Sequence, residues 1–184
     1  MISDPRSTAR TTAAVPRWAP LLAGAGLAAL ALRAPGLEAV VVVAAVGAVG
    51  LALPVPTRDR PAGAAPWLAA VTIGVLAMAM VARAASFPAL AFAPVPVAAA
   101  VLAGVAEEAF FRRFLFGWLA ARGPAVAIVV SAAAFALVHL PLYGLDAVAL
   151  NLAAGLLFGW QRWATGTWTA PAATHALANV LAYV

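Results

Sequence analysis

The sequence contains no cysteine, and this absence removes several kinds of chemistry at once. Without thiols the chain has no disulfide framework, no thiolate ligand for a metal and no cysteine nucleophile. Charge is also scarce: charged residues make up 9% of the 184 residues, whereas about a quarter is typical of soluble domains. With hydrophobic residues at 66%, the composition excludes a soluble domain and predicts an integral membrane protein.

Lysine is absent as well, so all 11 strongly basic side chains are arginines. Alanine, arginine, glycine and proline are abundant, a bias typical of a GC-rich genome, and we interpret the protein as one of a bacterial inner (cytoplasmic) membrane. The net charge of +5 would suggest nucleic acid as a partner for a soluble protein. In a membrane protein, arginines in the loops explain this charge because they set orientation and meet anionic lipid. We therefore expect the lipid bilayer as a partner and no nucleic acid.

The apolar segments predict an all-α fold, a polytopic membrane bundle of about six or seven transmembrane helices. The segments cover residues 18–32, 37–53, 66–82, 97–121, 124–140, 145–160 and 168–184. The second half of the fourth, 110–119, mixes arginines with aromatic residues and is compatible with either the membrane interface or a path further inward.

Domain organisation and orientation follow from the polar ends of these segments. We expect residues 1–17 to be a cytoplasmic tail without signal cleavage, and 18–184 to be one transmembrane domain with a motif-bearing core from about residue 95. With seven spans and a cytoplasmic N-terminus, nearly all arginines lie on the cytoplasmic side and only Arg33 and Arg83 lie outside, as the positive-inside rule favours.

Two adjacent glutamates and two arginines interrupt the apolar segment between Val105 and Phe114. Ionisable groups near the centre of a membrane helix cost about 3 kcal/mol each on insertion scales, so they usually face a protein interior and carry function. Glu108 and Arg112 lie four residues apart with the glutamate first, which favours an ion pair on one helical face. Glu107 points about 100° away, so we expect it to be left free as a general acid or base. In the structural alternative, both glutamates only neutralise the two arginines.

The only two histidines of the chain lie in later apolar segments. Phe135 and His139 are one turn apart on the fifth span, with Ser131 on the same face, and His175 precedes Asn179 by four residues on the seventh. A single membrane histidine or asparagine is often only a hydrogen-bond bridge between helices. Together with the glutamates, however, these residues form a set suited to acid–base catalysis.

Gly155 and Gly159 form a pair of small residues four apart on the sixth span, on the same face as Asn151. Glycines at this spacing let helices approach closely, so we expect them to pack the catalytic helices together without touching a substrate. Asp146, near the start of that span, suits a helix N-terminus and is assigned no chemistry.

Taken together, four ordered motifs resemble the signature of the CAAX protease and bacteriocin-processing (CPBP) family of intramembrane endopeptidases. The eukaryotic Ras-converting CAAX protease, CAAX prenyl protease 2, belongs to the same family. The motifs are Glu107-Glu108-x-x-x-Arg112, Phe135-x-x-x-His139, Gly155-x-x-x-Gly159 and His175-x-x-x-Asn179. They cover residues 100–184 on successive predicted helices, and no motif position is substituted. The first 90 residues resemble the family only in being apolar spans.

The resemblance implies hydrolysis of a peptide bond inside the membrane. Glu107 would be the base that activates water with the help of His139, while His175 and Asn179 would polarise the scissile carbonyl and stabilise the oxyanion. Such a division is chemically coherent, because acyl transfer to water needs a base beside the nucleophile and donors aimed at the developing negative charge.

The resemblance also bears on supporting residues and on metal. Glu108 and Arg112 would orient their helix and tune the base. The family is often described as metalloproteases, and a zinc set of Glu107, His139 and His175 has the usual donor types. The sequence lacks the compact His-Glu-x-x-His helix, however, and the other roles are filled without metal. We therefore expect a glutamate mechanism with no cofactor, and keep zinc as the alternative.

The expected substrate is a membrane-associated peptide or protein, for example one with a C-terminal anchor or sorting signal. Compact bacterial members of the family, including myxosortase-like ones, process such signals. The alternative from a different functional class is a non-catalytic membrane scaffold or immunity protein, or a small carrier that uses Glu107 and the histidines as a proton relay.

Overall fold

The computed structural model describes residues 18–33, 37–55, 59–84 and 96–182, and within these ranges the chain is helical with no strand. The predicted tail, 1–17, lies outside the described residues. The helices are α1 (Ala19–Leu32), α2 (Leu37–Ala52), α3 (Ala64–Ala84), α4 (Val97–Glu108), α5 (Phe116–Leu119), α6 (Pro124–Tyr143), α7 (Val148–Thr165) and α8 (Thr169–Leu181). A π-helical segment, Ala109–Leu115, joins α4 to α5.

The all-α prediction is confirmed, and most helix ends fall within a few residues of the predicted limits. The largest differences are at α6 and α7. Helix α6 continues past Pro141 to Tyr143 and ends only at Gly144, whose φ of 75° is unfavourable for other residues. Helix α7 begins after a short 3₁₀ turn, Leu145–Ala147, and ends at Gly166 in the left-handed conformation.

Two helices of the described part of the chain are long and apolar enough to cross a membrane, Ala64–Val81 and Pro124–Tyr143. The segments Ala19–Leu32 and Glu38–Ala52 are apolar but shorter. A membrane helix bundle agrees with these lengths, while the number of spans and the side on which the N-terminus lies stay predictions.

The centre of the bundle is the π-helical segment with its aromatic side chains. Phe110, Phe111 and Phe114 are almost completely buried, and the first two rings meet edge to face with centroids 5.2 Å apart. Phe116 and Leu119 are buried as well. This stretch therefore belongs to the core of the bundle and does not lie along its outer face, while its depth in the membrane stays a prediction. Segments of π-helix are frequent at functional sites.

Arginine side chains fasten this segment to its neighbours. Arg113 donates from Nη1 to the carbonyl oxygens of Gly50 and Leu53, the latter at 3.1 Å, and so satisfies backbone acceptors at the end of α2. Helix termini leave such carbonyls without partners inside the helix. Arg113 thereby holds the motif that carries the two glutamates against α2.

Candidate active site

Glu107 lies at the C-terminal end of α4 and is buried, with 7% of its surface exposed. One carboxylate oxygen, Oε1, lies 3.3 Å from Nη2 of Arg33, and the other, Oε2, lies 3.6 Å from Nε2 of His139. The prediction that Glu107 is left free is therefore wrong. The partner is an arginine at the end of α1, distant in sequence, and a cation is needed there because an uncompensated buried carboxylate is strongly unfavourable.

His139 projects from α6 towards Glu107 with its ring fixed on both sides. Its Nδ1 lies 2.7 Å from the carbonyl oxygen of Phe135, and since a carbonyl only accepts, Nδ1 is the donor. The ring packs between Phe135, with centroids 4.4 Å apart, and Tyr143, which stacks nearly parallel at 5.7 Å. These contacts direct Nε2 to the Glu107 carboxylate.

Glu108 and Arg112 form the ion pair that their spacing predicts, with Nη1 of the arginine 3.1 Å from Oε1 of the glutamate. Both side chains are fully buried. Arg112 also donates from Nη2 to the carbonyl oxygen of Gly155 at 3.0 Å, which links the motif to α7. Its guanidinium carbon lies 4.8 Å from the centroid of the Phe135 ring, a cation–π contact.

His175 reaches the same carboxylate from α8. Its Nδ1 lies 3.0 Å from Oε1 of Glu108, and its ring stacks on Phe158 with centroids 5.0 Å apart. Asn179, one turn later, donates from Nδ2 to the carbonyl oxygen of Ala100 at 2.8 Å. Each of the two adjacent glutamates therefore faces one histidine, and the two histidines come from different helices.

Gly104 belongs to this site, although the sequence analysis did not select it. A Cβ atom at this position would lie 3.0 Å from Nδ2 of Asn179 and 3.3 Å from the His175 ring, so a larger residue here would require these side chains to shift by a few tenths of an ångström. Its spacing of four residues from Glu108 places it on the same helical face, and that spacing was the available signal.

Arg33 is the other functional residue that the sequence analysis missed. It stood out as an arginine at the end of the first apolar segment, but no pattern in the sequence indicates that it contacts Glu107, 74 residues later in the chain. Its side chain is buried, so its position on the outer side of the predicted topology does not imply contact with solvent.

Gly155 and Gly159 lie where α7 packs against α6. A Cβ atom on Gly155 would lie 2.8 Å from Cα of Ala132, and one on Gly159 would lie 3.3 Å from Cα of Ile128. The two helices approach backbone to backbone, and from them His139 contacts Glu107 and the Gly155 carbonyl contacts Arg112.

Other polar residues of the predicted faces bond within their own helices. Ser131 donates to the carbonyl oxygen of Ile128 at 3.3 Å, and Asn151 donates to that of Ala147 at 3.0 Å. These two side chains have local partners and are assigned no part in the site.

The alternative zinc site would use Glu107, His139 and His175. In the described part of the chain, no three of the histidine and acidic side chains are placed so that they could hold one metal ion. Oε1 of Glu107 faces the Arg33 guanidinium, whose positive charge disfavours a second cation beside the same carboxylate. As arranged, these residues therefore do not fit a zinc ion.

The arrangement brings together a carboxylate, two imidazoles and an amide in a buried, largely aromatic environment. Glu107 with His139 can accept a proton, and His175 with Asn179 can donate hydrogen bonds. A low-polarity surrounding strengthens both kinds of electrostatic interaction.

Comparison with known proteins places this site in a family. The model of the family described as "Type II CAAX prenyl endopeptidase Rce1-like" matches residues 89–181, half of the chain. The match includes all of the candidate catalytic residues on α4, α6 and α8 but not Arg33. No curated protein and no solved structure matches the chain. The extent of the family match shows that the chain belongs to the Rce1-like type II CAAX prenyl endopeptidases, a family of membrane-embedded proteases.

Proposed function

We propose that the protein is an intramembrane endopeptidase in which Glu107 and His139 activate water while His175 and Asn179 stabilise the oxyanion. The observation that supports this best is the pair of carboxylate–histidine contacts on adjacent residues of α4. One pair, Glu107 with His139, is separated by 3.6 Å, and the other, Glu108 with His175, is hydrogen-bonded at 3.0 Å.

The first pair suits the activation of water. The distance of 3.6 Å between Oε2 and Nε2 is longer than a direct hydrogen bond, so a water molecule held by both atoms would lie beside the carboxylate. Glu107 takes one proton from this water as its oxygen bonds to the scissile carbonyl carbon. That proton passes to the amide nitrogen when the C–N bond breaks, which leaves a carboxylic acid and an amine.

The second pair suits the stabilisation of the oxyanion. Glu108 accepts from Nδ1 of His175, so the imidazole donates to the oxyanion from Nε2 when both ring nitrogens carry protons. Asn179 uses one amide hydrogen for the Ala100 carbonyl, and its second hydrogen serves as the other donor. Donors of this kind typically contribute about 100-fold or more to kcat.

The proposed substrate is a membrane-associated peptide or protein with a C-terminal anchor or sorting signal. The name of the matched family refers to endopeptidases that act on prenylated C-termini, and the bacterial reading of this sequence favours an unprenylated substrate. The proposed location is a bacterial inner membrane with the N-terminus in the cytoplasm, because this orientation keeps most loop arginines inside.

The test is cleavage by the full chain reconstituted in lipid vesicles. The probes are synthetic peptides with one apolar membrane-spanning segment and C-terminal tails of varied sequence, and products are identified by mass spectrometry. Wild type is compared with Glu107→Gln and His139→Ala. Glu38→Gln is the matched control because Glu38 is exposed at the start of α2. Each reaction is run with and without 1,10-phenanthroline.

We expect wild type and Glu38→Gln to cleave, and Glu107→Gln and His139→Ala to lose cleavage while they insert in the membrane at normal levels. Chelator should leave the wild-type rate unchanged. Cleavage by Glu107→Gln would refute the assigned base, and loss of wild-type cleavage in the chelator would refute the metal-independent mechanism. A wild-type chain that binds peptides of the panel without cutting any of them would support a scaffold instead.

The oxyanion donor has its own matched pair of variants. Asn179→Ala should lower kcat about 100-fold with little change in KM, since the lost interaction forms in the transition state. Asn151→Ala removes an amide that bonds to the Ala147 carbonyl in the 3₁₀ turn before α7, and it should retain wild-type kcat. Equal kcat values for the two variants would remove Asn179 from the mechanism.

A further inference from the structure

The catalytic base candidate has a partner from the part of the chain that the family match does not cover. Arg33 follows α1 directly, its side chain is only 4% exposed, and its Nη2 lies 3.3 Å from Oε1 of Glu107. The family match begins at residue 89, so neither the match nor the motifs assign any role to this arginine.

The position of the Arg33 guanidinium is fixed from its own helix. Nη1 donates to the carbonyl oxygen of Leu30, one of the carbonyls that the end of α1 leaves without an intrahelical partner. The guanidinium is a planar group with donors in a rigid fork, so fixing one arm at Leu30 also fixes the direction of the arm that meets Glu107.

The nearby arginines are engaged elsewhere. Arg112 pairs with Glu108 and the Gly155 carbonyl, and Arg113 caps the end of α2. In the described part of the chain, the charged partner of Glu107 is therefore Arg33, while the other carboxylate oxygen lies 3.6 Å from Nε2 of His139. One carboxylate oxygen is held by a permanent cation and the other is left to face the imidazole.

We propose that Arg33 is a positioning residue of the active site, which keeps the Glu107 carboxylate ionised and directs its Oε2 towards His139. A carboxylate in an apolar interior otherwise tends to take up a proton and lose its capacity to act as a base. The inference rests on the proposed function of Glu107. With this role, the C-terminal end of α1 becomes part of the catalytic unit.

The charge state of Glu107 can be measured without any substrate. Dicyclohexylcarbodiimide, a membrane-soluble reagent, modifies protonated carboxyl groups, and mass spectrometry of the full chain in lipid vesicles locates the modified residue. Wild type is compared with Arg33→Gln, which removes the charge, and with Arg33→Lys, which retains it. Arg83→Gln is the matched control because Arg83 is exposed at the end of α3.

Glu107 should be modified several-fold faster in Arg33→Gln than in wild type, while Arg33→Lys and Arg83→Gln stay near the wild-type rate. With a cleaved peptide from the panel, Arg33→Gln should lower kcat about 100-fold with KM nearly unchanged, as displacement of a catalytic group does. Arg33→Lys should recover part of kcat, because it supplies the charge without the planar fork.

A double-mutant cycle of unfolding temperatures distinguishes a specific interaction of Arg33 with Glu107 from a general loss of stability. If Arg33 acts through Glu107, the loss in unfolding temperature of the double variant Arg33→Gln/Glu107→Gln should be smaller than the sum of the two single losses. Additive losses would overturn the inference. So would equal labelling and equal kcat in Arg33→Gln and Arg83→Gln.

The two proposals fail in different ways. If Glu107→Gln abolishes cleavage and Arg33→Gln does not alter labelling or kcat, the role of Arg33 is wrong and the function of Glu107 stands. If Glu107→Gln cleaves normally, the proposed base is wrong, while faster labelling of Glu107 in Arg33→Gln would still support the pairing.

Discussion

Nδ1 of His175 lies 3.0 Å from Oε1 of Glu108, the same oxygen that Arg112 contacts at 3.1 Å. One buried oxygen therefore connects the π-helical segment to α8, and Arg112 continues the connection to α7 through the Gly155 carbonyl. The position of His175, one of the two proposed oxyanion donors, therefore depends on this carboxylate, although Glu108 itself is not expected to contact substrate.

Replacement of Glu108 by glutamine should therefore affect both stability and catalysis. Glu108→Gln leaves the fully buried Arg112 without its counter-charge, and breaking one partner of a buried pair typically costs roughly 3–5 kcal/mol. Unfolding of the detergent-solubilised protein measures this loss. Glu38→Gln, at an exposed site in the first turn of α2, should cost less than about 1 kcal/mol. Equal stability of the two variants would contradict the linking role of Glu108.

Addition of one methyl group at Gly104 should impair catalysis more than stability. The new Cβ in Gly104→Ala would lie 3.0 Å from Nδ2 of Asn179 and 3.3 Å from the His175 ring, so both donors must shift. Because a misplacement of about 1 Å can cost about 100-fold in rate, a shift of a few tenths of an ångström should lower kcat roughly 10-fold. Gly24→Ala is the control, because its Cβ would have no heavy atom within 4 Å.

The comparison of these two glycines removes the effect of helix propensity, since alanine favours a helix over glycine by about 1 kcal/mol at either site. The test uses a peptide of the panel that wild type cleaves. If Gly104→Ala cleaves it at the rate of Gly24→Ala, the added methyl group does not disturb the site and the prediction is wrong.

Arg162 should contribute more to the free energy of unfolding than Asp59, its ion-pair partner. Its Nη2 lies 2.8 Å from Oδ1 of Asp59, and its Nε donates at 3.1 Å to the carbonyl oxygen of Arg112 in the π-helical segment. The Asp59 side chain is 32% exposed, so Asp59→Asn should cost no more than about 1 kcal/mol. Arg162→Met also removes the donor to a buried carbonyl and should add about 1–3 kcal/mol.

The difference between the two variants can be read from urea or thermal unfolding in the same detergent. A larger loss for Asp59→Asn than for Arg162→Met would show that the ion pair with Asp59, and not the contact with the π-helical segment, is the stabilising interaction.

The ion pair of Glu108 with Arg112 was predictable because both residues lie on one helix and the spacing of four fixes their relation. The partner of Glu107 was not predictable in the same way. Helical geometry correctly placed Glu107 on another face, but what occupies that face depends on how α1 and α4 pack. The prediction of a free Glu107 carboxylate was wrong because Arg33, at the end of α1, contacts it.

The ends of α6 and α7 lie beyond the predicted limits of residues 140 and 160, although local signals mark both ends. Glycine follows α6 and α7 directly, and glycine with a positive φ commonly ends a helix. The predicted end of α6 lay just before Pro141, but the helix continues for two residues beyond this proline, to Tyr143. Within one turn of a helix end, the backbone contacts that proline removes are few, so packing and the following glycine decided the boundary.

The sequence by itself determined the all-α fold, the limits of most helices and the set of polar residues that interrupt apolar segments, because these depend on composition and on periodicity along one chain. The four motifs, in their order along the chain, also indicated the family. Tertiary structure alone decided which histidine faces which glutamate and that Arg33 contacts Glu107. It also decided that α8 packs closely against α4 at Gly104. Those relations join residues from different helices, and their distances follow from the packing of the helices, which no spacing within a single helix specifies.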